Sequence, residues 1–433
     1  MNISIVTQFP KLYEPFLETS IIGRAQREGR VQFNCADLFS FVRPKERVDA
    51  PAFGHGVGML LRPEVVEKAI VAQEKAHGPA YKIFFSPQGK RLTQNDLVRL
   101  ARIASERKHL MLVPSRYEGM DARVEQVYAD ELISIGDFVL MGGDVPAMVL
   151  LEGLLRLMPG IVGKQESVER ESFAGPFFDY PAYTEPVEWH GLKVPDVIRS
   201  GNHAAIETWR QETAARNTVM RNFDWLRSQS ITRAQRDLTR VQIPNHYVAL
   251  MHTDVLVGPE RTEGVTSVTS IDIHDIARSS RTYGVEKFFI ATPLIDQQKI
   301  VQKFLDFWHG GAGEKYNPSR YEAMRLVDVR DNFDAVVTAI REAEGKEPVV
   351  VATSARADSS DVLLTYGDQG TVWQQDRPVL LLFGTGRGLS ERLMARADYV
   401  LDPVEGLPEF NHLSVRSAAA VVLDRWLGLN RRQ

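Results

Sequence analysis

Short apolar runs alternate with stretches of helical period along this chain, and they do so in two separate blocks. Over residues 1–160, "ISIVTQF", "VQFNCADLF", "YKIFFSP", "HLMLVPS" and "GDFVLMGG" read as strands, with helices predicted near Pro15 to Glu28, Pro63 to His77, Gln94 to Glu106 and Pro146 to Leu157. Runs that stay apolar at successive positions are what a strand covered on both faces requires, so the pattern predicts a parallel sheet between layers of helices. "MPGIVGKQESVERESFAGPFFDYP" is polar and punctuated by Gly and Pro, and reads as a linker. A short, mainly helical segment follows to about Gln242. From Pro244 the alternation resumes: "HYVALMHT", "KFFIATP", "PVVVATS", "PVLLLFGT" and "YVLDP" read as strands, with helices at about Asp272 to Tyr283, Asp296 to Trp308, Asp331 to Glu344, Ser390 to Ala397 and Ser414 to Leu427. The expected divisions are 1–160, a linker at 161–172, a helical domain at 173–243 and a second α/β domain at 244–433.

Composition narrows the class. Hydrophobic residues at 44% and charged residues at 25% of 433 describe a globular protein rather than a disordered one. No segment reads as a membrane span, and the first residues lack the features of a secretory signal, so a cytoplasmic protein is expected. One cysteine, Cys35, excludes an internal disulfide and is expected to be a buried packing residue. The ten histidines show no zinc spacing, so no metal site is expected. A net charge of −4 gives no global nucleic-acid signature. Locally, residues 203–236 interleave Arg210, Arg216, Arg221, Arg227, Arg233 and Arg236 with Trp209, Phe223 and Trp225. Such arginines suit phosphates, while the aromatics offer either a packing face or a base-stacking surface.

The candidate chemistry sits at strand ends. "FSPQGKRL" supplies Ser86, Pro87, Gln88 and Gly89; "PSRYEGMD" closes another strand; "SIGDFVLMGGDVPAM" supplies Gly136, Asp137, Gly142, Gly143 and Asp144. Loops at the carboxyl ends of strands in an α/β sheet are where ligands bind, and glycine there lets main-chain groups approach a flat ring. With "IIGRA" (Ile21 to Ala25) and "SGNHAAIETWR" (Ser200 to Arg210) in the same order, residues 1–242 resemble the bacterial tRNA (guanine-N1)-methyltransferases, which methylate the guanosine 3′ of the anticodon (position 37).

That resemblance implies a SPOUT-type α/β fold: a parallel sheet threaded into a deep trefoil knot, binding S-adenosyl-L-methionine in the knot loops of a homodimer, with tRNA as substrate. It implies that Pro87, Tyr117, Glu118, Gly119, Ser134, Ile135, Gly136, Leu140, Gly142 and Gly143 surround the cofactor. It also implies that Ser200, Asn202, His203 and Arg210 contact tRNA. The family's general base is an aspartate in an "E-D-S-F" run. Alignment on Ser172 and Phe173 puts Glu171 there, one methylene longer, with Glu169 as a competing carboxylate. Arg156 matches an arginine that stabilises charge on guanine O6. A second departure is Gly54, His55, Gly56 and Val57 where the family has three glycines before Pro.

In the second block, Gly384, Gly386 and Gly388 invite a dinucleotide reading, but a Rossmann glycine loop follows the first strand of its unit, and this one comes near the end. The order instead resembles the late motifs of SPOUT RNA methyltransferases. This implies cofactor contacts at Gly384, Gly386, Leu389, Leu401 and Leu413, with Asn411 to Val415 opening the last helix. "DIHDIARSSRTYGV" matches the first motif of the 2′-O-methylating branch, with Asp272 in place of its Asn, then Arg278 and Gly284. The resemblance thus implies either a second RNA methyltransferase with its own RNA substrate, or a knotted RNA-binding module without catalysis.

Overall fold

The computed structural model describes residues 1–55, 58–162, 171–310, 312–355 and 363–429. It divides into two compact units, Met1–Ala174 and Gly175–Gln433. The helical segment therefore belongs to the same unit as the second α/β block.

In the first unit, β1 (Asn2–Thr7), β2 (Gln32–Asp37), β3 (Tyr81–Arg91), β4 (His109–Val113) and β5 (Glu131–Ser134) form a sheet in the order β2-β1-β4-β3-β5. Every pairing is parallel. Alternate residues feed two cores, as the two-residue period of a strand demands. Ile3, Ile5, Ile83, Leu110 and Leu112 pack with Leu100 and Leu150, and Val6, Phe84, Met111 and Val113 pack with Val65, Val66 and Ile70. The Pro63–His77 helix begins on proline at its first position and ends at Gly78, whose positive φ suits a helix stop.

Four sequence expectations fail here. "GDFVLMGG" is a loop, and the strand is the preceding "ELIS". Phe138, Val139 and Met141 are 55%, 83% and 88% exposed, so apolarity there does not mark a buried strand. The predicted Pro15 to Glu28 helix breaks in two at Thr19, whose backbone is extended. Cys35 is exposed rather than buried, because β2 is the sheet edge. Partial burial of the sulfur still pushes the thiol up to about 11, which leaves it unreactive at neutral pH. Finally, "FFSPQGKR" does not end its strand. β3 leaves the sheet after Phe85 and rejoins at Lys90, both of which face Ile133.

The second unit has a seven-stranded, all-parallel sheet of β6 (His246–Met251), β7 (Lys287–Ala291), β8 (Val327–Arg330), β9 (Val349–Thr353), β10 (Leu363–Leu364), β11 (Val379–Gly384) and β12 (Tyr399–Leu401). Its order is β8-β7-β6-β11-β9-β12-β10. The half-buried edge strand β8 escaped the sequence reading because "VDVR" alternates too briefly. The helix expected at Ser390 to Ala397 spans only Glu391–Met394. The Ser270–Thr282 and Val415–Leu427 helices cover one face with a core that also takes in Val219, Phe223 and Leu226 of the helical segment. Arg227 is likewise structural: it is buried and donates to the Asp424 carbonyl at 2.8 Å, satisfying the end of the last helix. Phe223 meets Trp373 edge-on at 4.9 Å and Trp225 lies against Phe178. Phe223 is thus a packing residue, and Trp225 packs on a neighbouring ring. No helix among the described residues is long and apolar enough to cross a membrane.

Candidate functional site

Three loops meet at the carboxyl edge of the first sheet. The Ser86–Gly89 excursion closes on β5, where a Cβ on Gly89 would stand 2.6 Å from the Ile133 carbonyl carbon. The loop after β4 turns through Tyr117 and Gly119, both at positive φ. The loop after β5 lies against it: Gly143 N–H donates to the Ser115 carbonyl at 2.7 Å, and Arg116 bridges Gly142. A Cβ on Gly142 would come within 2.5 Å of Arg116 Cδ, and one on Gly143 within 2.9 Å of Pro114 Cα, so both positions need glycine to let the two loops touch. Ser134 is buried, and its hydroxyl donates to the Gly136 carbonyl at 3.0 Å. Pro87, Tyr117, Glu118 and Leu140 are exposed around this core of turns, with Ile135 half-buried. The cluster thus offers main-chain donors and acceptors beside apolar side chains, a set that fits an adenosine and a thioether-sized tail.

An electrostatic pin holds the loops, and it joins two residues that sequence reasoning did not connect. Arg116 Nε lies 2.9 Å from Asp144 Oδ2, and its guanidinium covers the Phe9 ring at 4.6 Å. Asp144 is buried at the start of the Asp144–Leu155 helix, where a carboxylate meets the positive end of the helix dipole. Its Oδ1 accepts from Thr7 Oγ1 at 2.7 Å and from the Tyr13 hydroxyl at 3.0 Å. Burial and the Asp144 charge together keep the Tyr13 hydroxyl protonated far above its ordinary range. The charged residues within a glycine-bounded turn were the available signal; their partner lay 28 positions along the chain.

Arg156 caps the end of the same helix, and its guanidinium is bonded to the Glu171 carboxylate. Both side chains are partly exposed. The two catalytic candidates are therefore in contact, each occupying the other's hydrogen-bonding edge. Glu169, Gly56 and Val57 lie outside the described residues, and His55 ends a single 3-10 turn.

In the second unit Ser200, Asn202 and His203 are exposed at the start of the His203–Arg221 helix. Asn202 Oδ1 accepts from Ala205 N at 3.2 Å, and Gly201 takes the positive φ that the turn into the cap requires. Arg210 is half-buried, with its guanidinium 4.7 Å from the Tyr180 ring centroid. Around Gly384 to Gly388 a cleft of about 2080 Å³ opens, with Leu389, Asp402, Asn411 and Leu413 in its wall. A Cβ on Gly384 would sit 2.6 Å from Leu389 N, and one on Gly386 2.7 Å from the Leu256 carbonyl oxygen. Leu401 belongs to the core at 1% exposure, so only its main chain is available to a ligand. Asp272 is in the cleft wall and faces Arg416 at 3.4 Å, whereas Arg278 is exposed and outside that wall.

Against known proteins, residues 1–228 match the family described as tRNA (Guanine-1)-methyltransferase TrmD. The chain belongs to the tRNA (guanine-1)-methyltransferase family. Residues 245–428 match a second family, SAM-dependent RNA methyltransferase. A tRNA (guanine-N(1)-)-methyltransferase of Nitratidesulfovibrio vulgaris is 37% identical over 99% of both chains. A protein of that name from Thermus thermophilus is 39% identical, over 56% of this chain and 97% of its own. A crystal structure of tRNA (m1G37) methyltransferase from Aquifex aeolicus aligns with a TM-score of 0.41 at 32% identity, covering 48% of this chain and 87% of that one. The chain is a TrmD-like tRNA guanine-1 methyltransferase with a C-terminal SAM-dependent RNA methyltransferase domain, and S-adenosylmethionine is the cofactor of both families.

Proposed function

We propose that the first unit methylates N1 of the guanosine 3′ of the tRNA anticodon, with Glu171 as general base and Arg156 as the group that neutralises O6. The observation that carries this reading is the Arg156–Glu171 contact at the far end of the helix that starts from the loop cluster. N1 of guanine bears a proton, and its lone pair becomes available only as that proton leaves. Glu171 accepts it, while Arg156 balances the negative charge that spreads to O6; their mutual contact must open for either to reach the base. S-adenosylmethionine, when bound, supplies a methyl group on a positively charged sulfur. Pro87, Tyr117, Glu118, Gly119, Ser134, Ile135, Gly136, Leu140, Gly142 and Gly143 would hold it through main-chain groups and apolar contacts.

The trefoil knot, the homodimer and a cytoplasmic setting belong to this proposal. The exposed run Phe138–Met141 supports the dimer, since a contiguous apolar patch beside a site is a common interface. The exposed start of the His203–Arg221 helix, with Ser200, Asn202 and His203, suits a tRNA phosphate, because helix N-termini present unpaired N–H groups. Arg210 would serve from the next turns, and in the second unit Gly384, Gly386, Leu389, Leu401 and Leu413 would contact a second cofactor. Nucleoside mass spectrometry of tRNA incubated with the protein and labelled cofactor tests the reading; label absent from 1-methylguanosine would refute it.

A further inference from the structure

A polar chain in the second unit is explained neither by the glycine turn nor by the core. His252 follows β6, is 1% exposed and forms part of the cleft wall. Its Nδ1 lies 3.0 Å from Thr266 Oγ1, which lies 2.5 Å from Thr385 Oγ1, and Thr385 donates to the Met251 carbonyl at 2.8 Å. A carbonyl can only accept, so the single Thr385 proton is committed to Met251. Thr266 must then donate to Thr385, which commits its own proton. The contact between Thr266 and the ring is therefore made by an N–H on Nδ1. Nε2 is left as the acceptor nitrogen, buried and without a hydrogen-bond partner among the described residues.

An orphaned acceptor is costly in a fold and calls for a partner. Burial pushes the His252 ring down to about 4, so it is neutral near pH 7 and its Nε2 lone pair is available. Asp272 opposes the effect of burial on the ring and is itself paired with Arg416; the cleft wall also carries Glu260, Arg261, Glu263, Arg387, Glu391, Arg392 and Asp402. Thr385 belongs to the Gly384–Gly388 turn, so two hydrogen bonds tie the ring to the loop expected to hold a methyl donor.

We propose that His252 Nε2 receives the proton of the RNA group methylated in the second unit, which makes it the general base of a separate methyl-transfer centre. This rests on reading the C-terminal unit as an active S-adenosylmethionine-dependent RNA methyltransferase. With an RNA O–H or N–H against Nε2, the proton passes to the ring as the released lone pair bonds to the methyl carbon. The carbon–sulfur bond breaks with its electron pair kept by sulfur, leaving a neutral thioether, and the imidazolium returns its proton to solvent.

The test uses the full-length protein, labelled S-adenosylmethionine and total RNA from cells lacking the protein, with digestion and mass spectrometry of methylated nucleosides other than 1-methylguanosine. His252→Asn keeps an amide donor near the Nδ1 position but has nothing at Nε2. It should lower formation of the second product by about 10²-fold, as loss of general-base catalysis does. S-adenosylhomocysteine binding by calorimetry and 1-methylguanosine formation should stay unchanged. Nitrogen-15 NMR of the imidazole should show the Nδ1-protonated tautomer. Near-normal transfer by the Asn variant, an Nε2-protonated ring, or loss of S-adenosylhomocysteine binding in the variant each overturns the base role while leaving the transferase reading intact. No second methylated nucleoside from the wild-type chain overturns that reading, and the proposal with it.

Discussion

Arg116 and Asp144 stand 2.9 Å apart and fasten the loop after β4 to the first turn of the helix that follows the loop after β5. The carboxylate is 3% exposed and the guanidinium 24%. The pair thus joins a buried anion to a cation that still touches solvent, and the Thr7 and Tyr13 hydroxyls complete the anion's coordination.

Asp144→Ala leaves a guanidinium without its counter-ion and two hydroxyls without their acceptor. Removing one partner of a buried pair typically costs about 3–5 kcal/mol, and the partial exposure of Arg116 argues for about 3. Urea unfolding should show that loss, with cofactor affinity falling alongside. Asp144→Asn keeps an acceptor for Thr7 or Tyr13 and should lose less. Equal stability of the Ala variant and the wild type would mean that the pin holds nothing.

Glu171→Gln should slow single-turnover formation of 1-methylguanosine by roughly 10²–10⁴-fold with little change in cofactor affinity, the range expected for loss of a general base. Glu171→Asp should retain substantial activity, since a carboxylate remains. Recovery of the Gln variant at higher pH would point to solvent taking the proton. Near-normal chemistry in the Gln variant would shift the role to another carboxylate, Glu169 first.

Acid should weaken the second unit before the pH reaches 4. His246 is fully buried, its Nδ1 lies 2.6 Å from the Pro244 carbonyl, and its Nε2 accepts from the indoles of Trp373 at 3.2 Å and Trp426 at 3.0 Å. Burial lowers its pKa to about 4. The unfolded chain therefore binds the extra proton between about 6.5 and 4, and stability falls as pH drops through that window. Linkage gives a loss of about 2 kcal/mol from this histidine between pH 7 and pH 5. His252, also lowered to about 4, acts in the same direction. Thermal unfolding at the two pH values checks this; a flat profile would contradict buried, neutral rings.

Cutting the chain after Gln242 should damage the helical segment more than the first sheet. Val219, Phe223 and Leu226 are at most 4% exposed and complete the core of the second α/β block. Uncovering such side chains costs roughly 1.5–3 kcal/mol each. Arg227 also loses its carbonyl partner at Asp424. A 1–242 fragment should keep cofactor binding while its KM for tRNA rises and the His203–Arg227 region exchanges amide hydrogens faster. Protection equal to that of the full chain would show that the helices stand without this support.

The central strands were legible because burial on both faces leaves an uninterrupted apolar run, as in "HLMLV" and "VLLLFG". The glycine loops were legible as candidates because three of them follow one another at strand ends in one order and spacing, where main-chain groups can approach a ligand. Less was readable wherever exposure departs from hydropathy. Phe138–Met141 looks like a strand and is an exposed loop, and Cys35 looks like core and sits on an edge. Pairings between distant residues, such as Arg116 with Asp144 or His252 with Thr266 and Thr385, leave no periodic trace. Geometry alone reveals them.

The return of β3 opposite the residue it left carries a restriction on how this protein can vary. Phe85 and Lys90 both face Ile133, so the four residues between them form a handle welded at both ends to one neighbour. Adding or removing one residue would turn Lys90 and Arg91 to opposite faces of the sheet. It would draw Lys90 off Asp96, whose carboxylate also closes the capping box with Thr93 at the start of the next helix. Most surface loops tolerate insertions, but this one is expected to accept changes of residue far more readily than changes of length.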